Sequence, residues 1–159
     1  MKIIIFLLLA LIVIAILAKL VPQKKNSEYD LSKYYRKESI VTQVEKWMYN
    51  IINETISEEY MIAPKVGMKD YIGVKSGKDY IKHFGHIAQK HIDFLICKKE
   101  DLSPVLGIEI DDLSHQKNNR KKRDQDNDQI YNAIGLKIIH IPTNTKENEL
   151  KEIINNSLI

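Results

Sequence analysis

The apolar residues of this chain follow three different patterns, and each predicts a different kind of element. Residues 3–18 are sixteen consecutive apolar residues, which predicts a helix that is apolar on every side. From residue 39 onward, segments with helical spacing alternate with segments of period two. The predicted order is helix, strand, a hairpin of two strands, helix, strand and helix. This order predicts an α/β sandwich built on a small mixed sheet.

The N-terminal apolar segment is long enough to cross a bilayer. As a helix with a rise of about 1.5 Å per residue, Ile3–Val21 would span roughly 28 Å, close to the ~30 Å hydrocarbon core. Lys and Arg are more frequent after this segment than before it, which predicts a cytoplasmic C-terminal domain. Signal cleavage, giving a secreted or periplasmic domain, is the alternative, but the spacing of small residues does not fit a cleavage site. The predicted segments are a transmembrane signal anchor (1–22), a juxtamembrane linker (23–38) and an α/β domain (39–159).

Charge and composition limit the possible functions. The 159-residue chain has a net charge of +3, but residues 39–159 carry 17 basic and 18 acidic side chains. A domain whose whole surface attracts nucleic acid is therefore excluded, whereas a local basic patch is not. The single cysteine, Cys97, excludes an intramolecular disulfide and a multi-cysteine metal site, and we interpret it as a small strand residue. Hydrophobic residues make up 44% of the chain, which is typical of a globular protein.

The first helix of the domain, from Ser39 to about Ile56, is predicted to be amphipathic. Its apolar positions at helical spacing are Ile40, Val44, Trp47, Met48 and Ile51. A second stripe consists of Val41, Glu45, Met48 and Ile52. It places the carboxylate of Glu45 at the edge of the buried face.

Two strands, His91–Cys97 and Val105–Asp111, are predicted to form a hairpin. Even positions are apolar and odd positions carry the acids, so one face is predicted to be core and the other acidic. A register centred on residue 101 places Asp93 opposite Glu109. Opposed Cβ atoms lie about 4.5–5.5 Å apart, and like charges at that distance require a compensating cation such as Mg²⁺ or Mn²⁺. The alternative is a solvated acidic face on an ordinary surface hairpin.

The remaining elements are shorter. Tyr60–Val66 is predicted to be a strand, Tyr80–Gln89 a short helix, Leu136–Pro142 a buried strand and Lys146–Ser157 an amphipathic helix. Another helix is predicted to end at Gly135. It follows a basic run that contains Lys117, Arg120, Lys121 and Arg123. This run fits either phosphate contacts or ion pairs on a solvated helix start.

Several of these segments resemble a known bacterial family. They are His91-Ile-Asp-Phe-Leu-Ile-Cys97, Pro104-Val-Leu-Gly-Ile-Glu-Ile-Asp-Asp-Leu-Ser-His-Gln116, Arg123-Asp124 and Ala133-Ile-Gly-Leu-Lys-Ile-Ile139. Over about residues 28–145 the chain resembles domain of unknown function 2726, which is grouped with the PD-(D/E)xK, or restriction-endonuclease-like, nucleases. The layout is also similar to that of very-short-patch-repair endonucleases. The resemblance implies a restriction-endonuclease-like α/β/α sandwich around a small mixed sheet.

The resemblance also implies roles for individual residues. Asp93 matches the motif aspartate and Glu109 the motif acid, so both would hold a metal ion together with the backbone carbonyl of Ile110. Glu45 matches a glutamate that some members carry on their first helix. His115 and Asp124 match further polar positions of the family.

The chain departs from the family pattern at two positions. Asp111 stands where the superfamily usually has lysine, so His115, Lys90 or Lys117 would have to compensate. His140 stands where an arginine is expected in the last strand.

Taken together, these observations predict a single-pass protein of the bacterial inner membrane that contacts lipid through residues 3–21. Its domain would be a nuclease-like hydrolase of phosphodiester bonds, with Mg²⁺ or Mn²⁺, no organic cofactor and DNA as the expected substrate. His115 or Asp111 would accept a proton, and Lys117, Arg120, Lys121 and Arg123 would contact the nucleic-acid backbone. The alternative is a catalytically inactive module that binds nucleic acid or a protein partner at the membrane.

Overall fold

The predicted helices and strands occur in the predicted order in the computed structural model of the protein, which describes residues 29–111 and 127–158 and adds a short helix after the first strand. The chain divides into two units, residues 1–36 and 37–159. In the first unit, the described residues include a 3₁₀ turn at Leu31–Lys33, which Asp30 caps by accepting a hydrogen bond from Ser32 N. The second unit contains the sheet and its helices.

Five α-helices and four strands lie in the described part of the second unit. The helices are α1 (Gln43–Thr55), α2 (Met68–Tyr71), α3 (Tyr80–Ile87), α4 (residues 127–134) and α5 (Glu147–Ser157). The strands are β1 (Tyr60–Gly67), β2 (His91–Lys98), β3 (Pro104–Asp111) and β4 (Lys137–Pro142). The four-residue α2 was not predicted, because so short a helix has no detectable periodicity. Gly135, with a φ of 71°, follows α4 in the left-handed conformation expected at a helix end.

The four strands form one mixed sheet in the order β1-β2-β3-β4. β1 and β3 each pair with β2 antiparallel, whereas β3 and β4 are parallel. Between β2 and β3, Phe94 pairs with Ile108 and Ile96 with Leu106, so the predicted hairpin register centred on residue 101 is confirmed. The register shifts beyond Ile96, where Cys97 pairs with Pro104.

Helices cover both faces of the sheet. One core contains Phe94, Ile96, Leu106 and Ile108 together with residues of α1 and α5. The other contains Leu95 and Cys97 together with residues of α2, α3 and α4. The prediction that only the even positions of the hairpin face a core is therefore wrong, because a second set of helices buries Leu95 and Cys97, at odd positions of β2, as well.

The apolar face of α1 differs from the first stripe predicted for it. Thr42 caps the helix, so that it begins at Gln43, later than expected. Met48 and Ile52 are fully buried, whereas 42% of Val44 and 41% of Trp47 remain exposed. The buried side of the helix therefore combines both predicted stripes: Met48 and Ile51 of the first, and Ile52 of the second, which includes Glu45. Val41 of the second stripe, just before the cap, also packs against the first core.

No helix within the described residues is long and apolar enough to cross a membrane. The apolar segment 3–21, in which the sequence predicts the anchor, lies outside the described residues.

Candidate functional site

The centre of the candidate site is Lys65, an unusual residue of β1. Its φ of 56° lies in the left-handed region, which is rare for a residue with a side chain. The ladder pairs Pro64 with Phe94 and Val66 with Ile92, so Lys65 and Asp93 lie between two normal pairs. On one side of this point Phe94 packs in the first core, and on the other Val66 and Ile92 pack in the second. The regular alternation of side chains between the two faces of the sheet is therefore interrupted at Lys65 and Asp93.

The ammonium group of Lys65 lies between two carboxylates. Its Nζ is 2.7 Å from Oε1 of Glu45 and 2.5 Å from Oδ1 of Asp93. The three side chains are 23%, 12% and 15% exposed for Lys65, Glu45 and Asp93, respectively. Burial alone would lower the pKa of Lys65, but the bonds to Asp93 and Glu45 outweigh it and raise that pKa. This charged cluster therefore joins α1, β1 and β2.

Asp93 also contacts the third strand. Its second oxygen, Oδ2, accepts a hydrogen bond of 2.8 Å from the backbone N–H of Ile110 in β3. The paired part of the β2–β3 ladder ends at Phe94 and Ile108, so the carboxylate bonds to β3 just beyond the last pair. Both oxygens of Asp93 thus have donors, one an ammonium and one an amide.

Glu45 is positioned by the start of α1. It occupies the third position of a capping box: its Oε2 accepts a 2.7 Å bond from Thr42 N, and Thr42 Oγ1 accepts one from Glu45 N. Burial raises the pKa of Glu45, but the bonds from Lys65 and Thr42 outweigh it, so that the pKa lies below its ordinary value. The predicted position of Glu45, at the edge of the buried face of the helix, is confirmed.

Glu109 lies one residue beyond the last pair of the hairpin ladder, as Asp93 does on the opposite strand. Glu109 is a partly buried residue, and its charge acts on Tyr71 and Tyr131. Burial, followed by the nearby Glu109 charge, raises the pKa of Tyr71 to about 12, although its hydrogen bond to Tyr131 acts the other way. Burial, Tyr71 and Glu109 also raise the pKa of Tyr131. The two hydroxyl oxygens are 3.0 Å apart.

The structure brings some of the predicted site residues together. Glu45 and Asp93 share Lys65, and the amide of Ile110 bonds to Asp93. Within residues 29–111 and 127–158, no three His, Cys, Asp or Glu side chains are grouped so that they could hold a metal ion. Asp93 and Glu109 are only two such side chains, so the prediction that they face each other as two carboxylate ligands of a metal ion stays a prediction.

Asp111 contacts β4 instead of the charged cluster. Its Oδ1 is 3.5 Å from Nδ1 of His140, whose Nε2 is 3.3 Å from Oδ1 of Asp128. Burial would lower the pKa of His140, but the bond to Asp128 and the charges of both aspartates outweigh it and raise the pKa. His140, at the position where an arginine was expected, thus links the end of β3 to α4.

The lysine of the charged cluster is Lys65, which the sequence analysis missed. Lys90, one of the three residues considered for this role, donates instead to Oδ1 of Asn127. The other two, His115 and Lys117, lie outside the described residues, as do the expected nucleic-acid contacts Arg120, Lys121 and Arg123. One feature of the sequence could have identified Lys65. Side chains alternate between the two faces of a strand, so Lys65 occupies the position of an otherwise apolar strand that follows Met61 and Ala63 on the same face.

A groove of about 560 Å³ adjoins the charged cluster. Its lining includes Lys37, Thr42, Glu45, Lys65 and His91. Lys65 and Glu45 are therefore reachable from solvent at this groove, and the other cationic side chain, Lys37, lies beside them together with His91.

The comparisons with known proteins give one match. A family model described as "Protein of unknown function (DUF2726)" matches residues 37–157, about three quarters of the chain. No curated protein and no solved structure matches the chain.

Proposed function

Since the chain belongs to the DUF2726 family, and since its charged cluster lies on strands that carry that family's acids, we propose a function in phosphodiester hydrolysis. The protein would be a membrane-anchored, divalent-metal-dependent nuclease with a restriction-endonuclease-like fold and DNA as its substrate. The observation that carries the proposal is the position and the binding partner of the Asp93 carboxylate. It binds a cation, Lys65, directly beside the point where β2 and β3 separate and where Glu109 follows the last ladder pair.

The oxygen atoms that could serve as metal ligands near this point are of the kind that a hard divalent ion binds. Asp93 and Glu109 offer carboxylate oxygens and Ile110 a backbone carbonyl, and Mg²⁺ and Mn²⁺ prefer such oxygen ligands. The Lys65 ammonium at 2.5 Å marks Asp93 as a carboxylate that already binds positive charge. When bound, a divalent ion supplies Lewis-acid polarisation of a phosphate oxygen and lowers the pKa of a bound water.

The protein's own residues would orient the substrate and move the proton. Lys65, held by Glu45 at the groove, is suited to stabilise charge that develops on a phosphate oxygen. Asp111, which is 56% exposed, could accept a proton from the attacking water, as could His115. Lys117, Arg120, Lys121 and Arg123 would bind the nucleic-acid backbone, which makes the affinity fall as salt rises.

The N-terminal segment would supply the membrane anchor. Residues 3–21 would cross the inner membrane once, and the lysines and arginines after Pro22 would keep the domain in the cytoplasm. Cleavage by trypsin added to right-side-out or inverted vesicles tests this orientation. Digestion of the domain only in inverted vesicles is expected, and digestion in right-side-out vesicles would contradict it.

Cleavage assays with the full chain in detergent micelles test the enzymatic proposal. Single-stranded DNA, duplex DNA and RNA are each incubated with Mg²⁺ or Mn²⁺. Cleavage by the wild type should be lost in Asp93→Asn and Glu109→Gln, two nearly isosteric changes that remove one charge each. Glu58→Gln, which removes an exposed charge before β1, should cleave as the wild type does. Equal background cleavage by all four proteins would refute the proposed activity.

A binding module without activity is the second candidate, and one observation favours it. Both oxygens of Asp93 are engaged, by Lys65 and by the Ile110 amide, and residue 111 is not lysine. Such a module would bind nucleic acid or a protein partner at the membrane. The same four proteins separate the two candidates: DNA binding that survives Asp93→Asn, without cleavage by the wild type, supports the module.

A further inference from the structure

Lys65 and a divalent ion would need the same oxygen of Asp93. Oδ2 accepts the amide hydrogen of Ile110, and Oδ1 accepts the ammonium of Lys65. We propose that Lys65 is an internal counter-ion of Asp93, which a divalent ion must displace in order to bind. This inference rests on the proposed function, because it concerns the same metal site.

The competition follows from charge and distance. Lys65 Nζ is 2.5 Å from Oδ1, so an ion bound to that oxygen would lie within a few ångströms of the ammonium. The side chains of Lys65 and Asp93 are mostly buried, and charges in such surroundings are screened less than at the surface. Repulsion between the two cations therefore lowers the affinity of the site for a metal ion for as long as Lys65 remains on Asp93.

The structure also provides a place for the displaced ammonium. Lys65 donates a second bond, of 2.7 Å, to Glu45, which the N–H of Thr42 holds in turn. Both Lys65 and Glu45 line the groove. The backbone of Lys65 lies between two ladder pairs, so only its side chain has to move. After displacement the ammonium would remain on Glu45, facing the groove beside Lys37.

Metal binding without substrate tests this inference. The full chain in detergent micelles is titrated with Mn²⁺, and free Mn²⁺ is measured by electron paramagnetic resonance. Lys65→Gln, which removes the charge, should bind Mn²⁺ about tenfold or more tightly than the wild type. Lys65→Arg keeps the charge and should bind like the wild type. Lys151→Gln removes a distant lysine that pairs with Glu147 and serves as the matched control.

The two possible failures give different results. Binding by Lys65→Gln that is equal to or weaker than that of the wild type would overturn the counter-ion role and leave the metal site intact. No binding by any of the four proteins would overturn the metal-dependent function itself. Binding by Lys65→Arg as tight as that of Lys65→Gln would also overturn the inference, because the charge would then have no effect.

A measurement on the wild type covers the case in which Lys65→Gln does not fold. Amine acetylation at each lysine is quantified by mass spectrometry with and without Mn²⁺. Displacement from Asp93 should increase the acetylation of Lys65 relative to that of Lys151. An unchanged ratio, at an Mn²⁺ concentration at which binding is observed, would overturn the inference.

Discussion

Replacement of Asp93 by alanine should destabilise the fold, because one carboxylate connects three strands. Asp93→Ala removes the acceptor of the Ile110 amide at 2.8 Å and one of the two carboxylates that bind Lys65. Lys65 would keep its bond to Glu45. The side chain of Asp93 is only 15% exposed, so water cannot fully replace these contacts.

The expected loss can be estimated contact by contact. An amide left without its acceptor costs about 1–3 kcal/mol when buried, and this one is partly buried. Loss of a fully buried ion-pair partner costs about 3–5 kcal/mol, but Lys65 is 23% exposed and keeps Glu45, so about 1–2 kcal/mol applies. Asp93→Ala should therefore lower the free energy of unfolding by about 2–5 kcal/mol. Asp93→Asn keeps an oxygen for the amide and should lose about 1–2 kcal/mol.

Urea denaturation of the full chain in micelles, followed by the fluorescence of its single tryptophan, measures these losses. Trp47 lies on α1, which packs on the sheet through Met48. The exposed Glu58→Ala variant serves as a control and should stay within about 0.5 kcal/mol of the wild type. If Asp93→Ala were as stable as this control, Asp93 could not hold β1, β2 and β3 together, and the charged cluster would be refuted.

Three further predictions concern pH and packing. Because the folded-state pKa of Glu45 is lowered from 4.5, its stabilisation is present above pH 4.5 and is lost as pH falls through the lowered pKa. Glu45→Gln should therefore reduce the thermal midpoint at neutral pH and flatten its acid dependence, and a parallel pH curve would contradict this. The raised pKa of His140 acts in the opposite direction. The stabilisation of the fold by His140 is present below pH 6.5 and is lost as pH rises through the raised pKa. His140→Gln should therefore lower the thermal midpoint only on the acid side. Its side chain is 36% exposed, so the effect should be a few tenths of a kcal/mol. A Cβ at Gly107 would collide with Cδ1 of Ile138. Gly107→Ala should therefore lower the free energy of unfolding, measured by urea denaturation, by roughly 1–3 kcal/mol. Adding Ile138→Val should recover part of that loss.

The hairpin register could be predicted because two independent local signals agree on it. Period-two alternation assigns each side chain to a face, and the turn between the strands sets the centre of the hairpin near residue 101. Phe94 accordingly pairs with Ile108. The shift beyond Ile96 was not predictable, because a bulge depends on the conformation of the turn, where Leu102 adopts a φ of 59°.

The apolar face of α1 was only partly predictable. The two predicted stripes of α1 share Met48, and their other members are offset by one residue along the helix. Both stripes contain apolar residues. Periodicity alone favoured the stripe with more apolar members, which includes Trp47. The sheet buries Ile51 of that stripe but leaves Val44 and Trp47 partly exposed, and it buries Ile52 of the other stripe, whose Val41 packs on the first core just before the helix begins. The choice thus depends on a contact outside the helix, which helical spacing does not contain.

The pairing of Glu45 with Lys65 shows which kind of sequence signal was overlooked. Glu45 interrupts an apolar stripe of α1, and Lys65 interrupts an apolar face of β1, twenty residues later. A charge at a half-buried position is unfavourable unless an opposite charge or hydrogen-bond donors compensate it. Two opposite charges that each interrupt an apolar pattern in neighbouring elements are therefore expected to meet, whereas either alone is ambiguous. In this chain Asp93 is a third such interruption, in β2, and the ammonium binds both acids. Within the described part of the chain, the cluster has two carboxylates and one ammonium, and this excess of acid leaves negative charge that a further cation would neutralise.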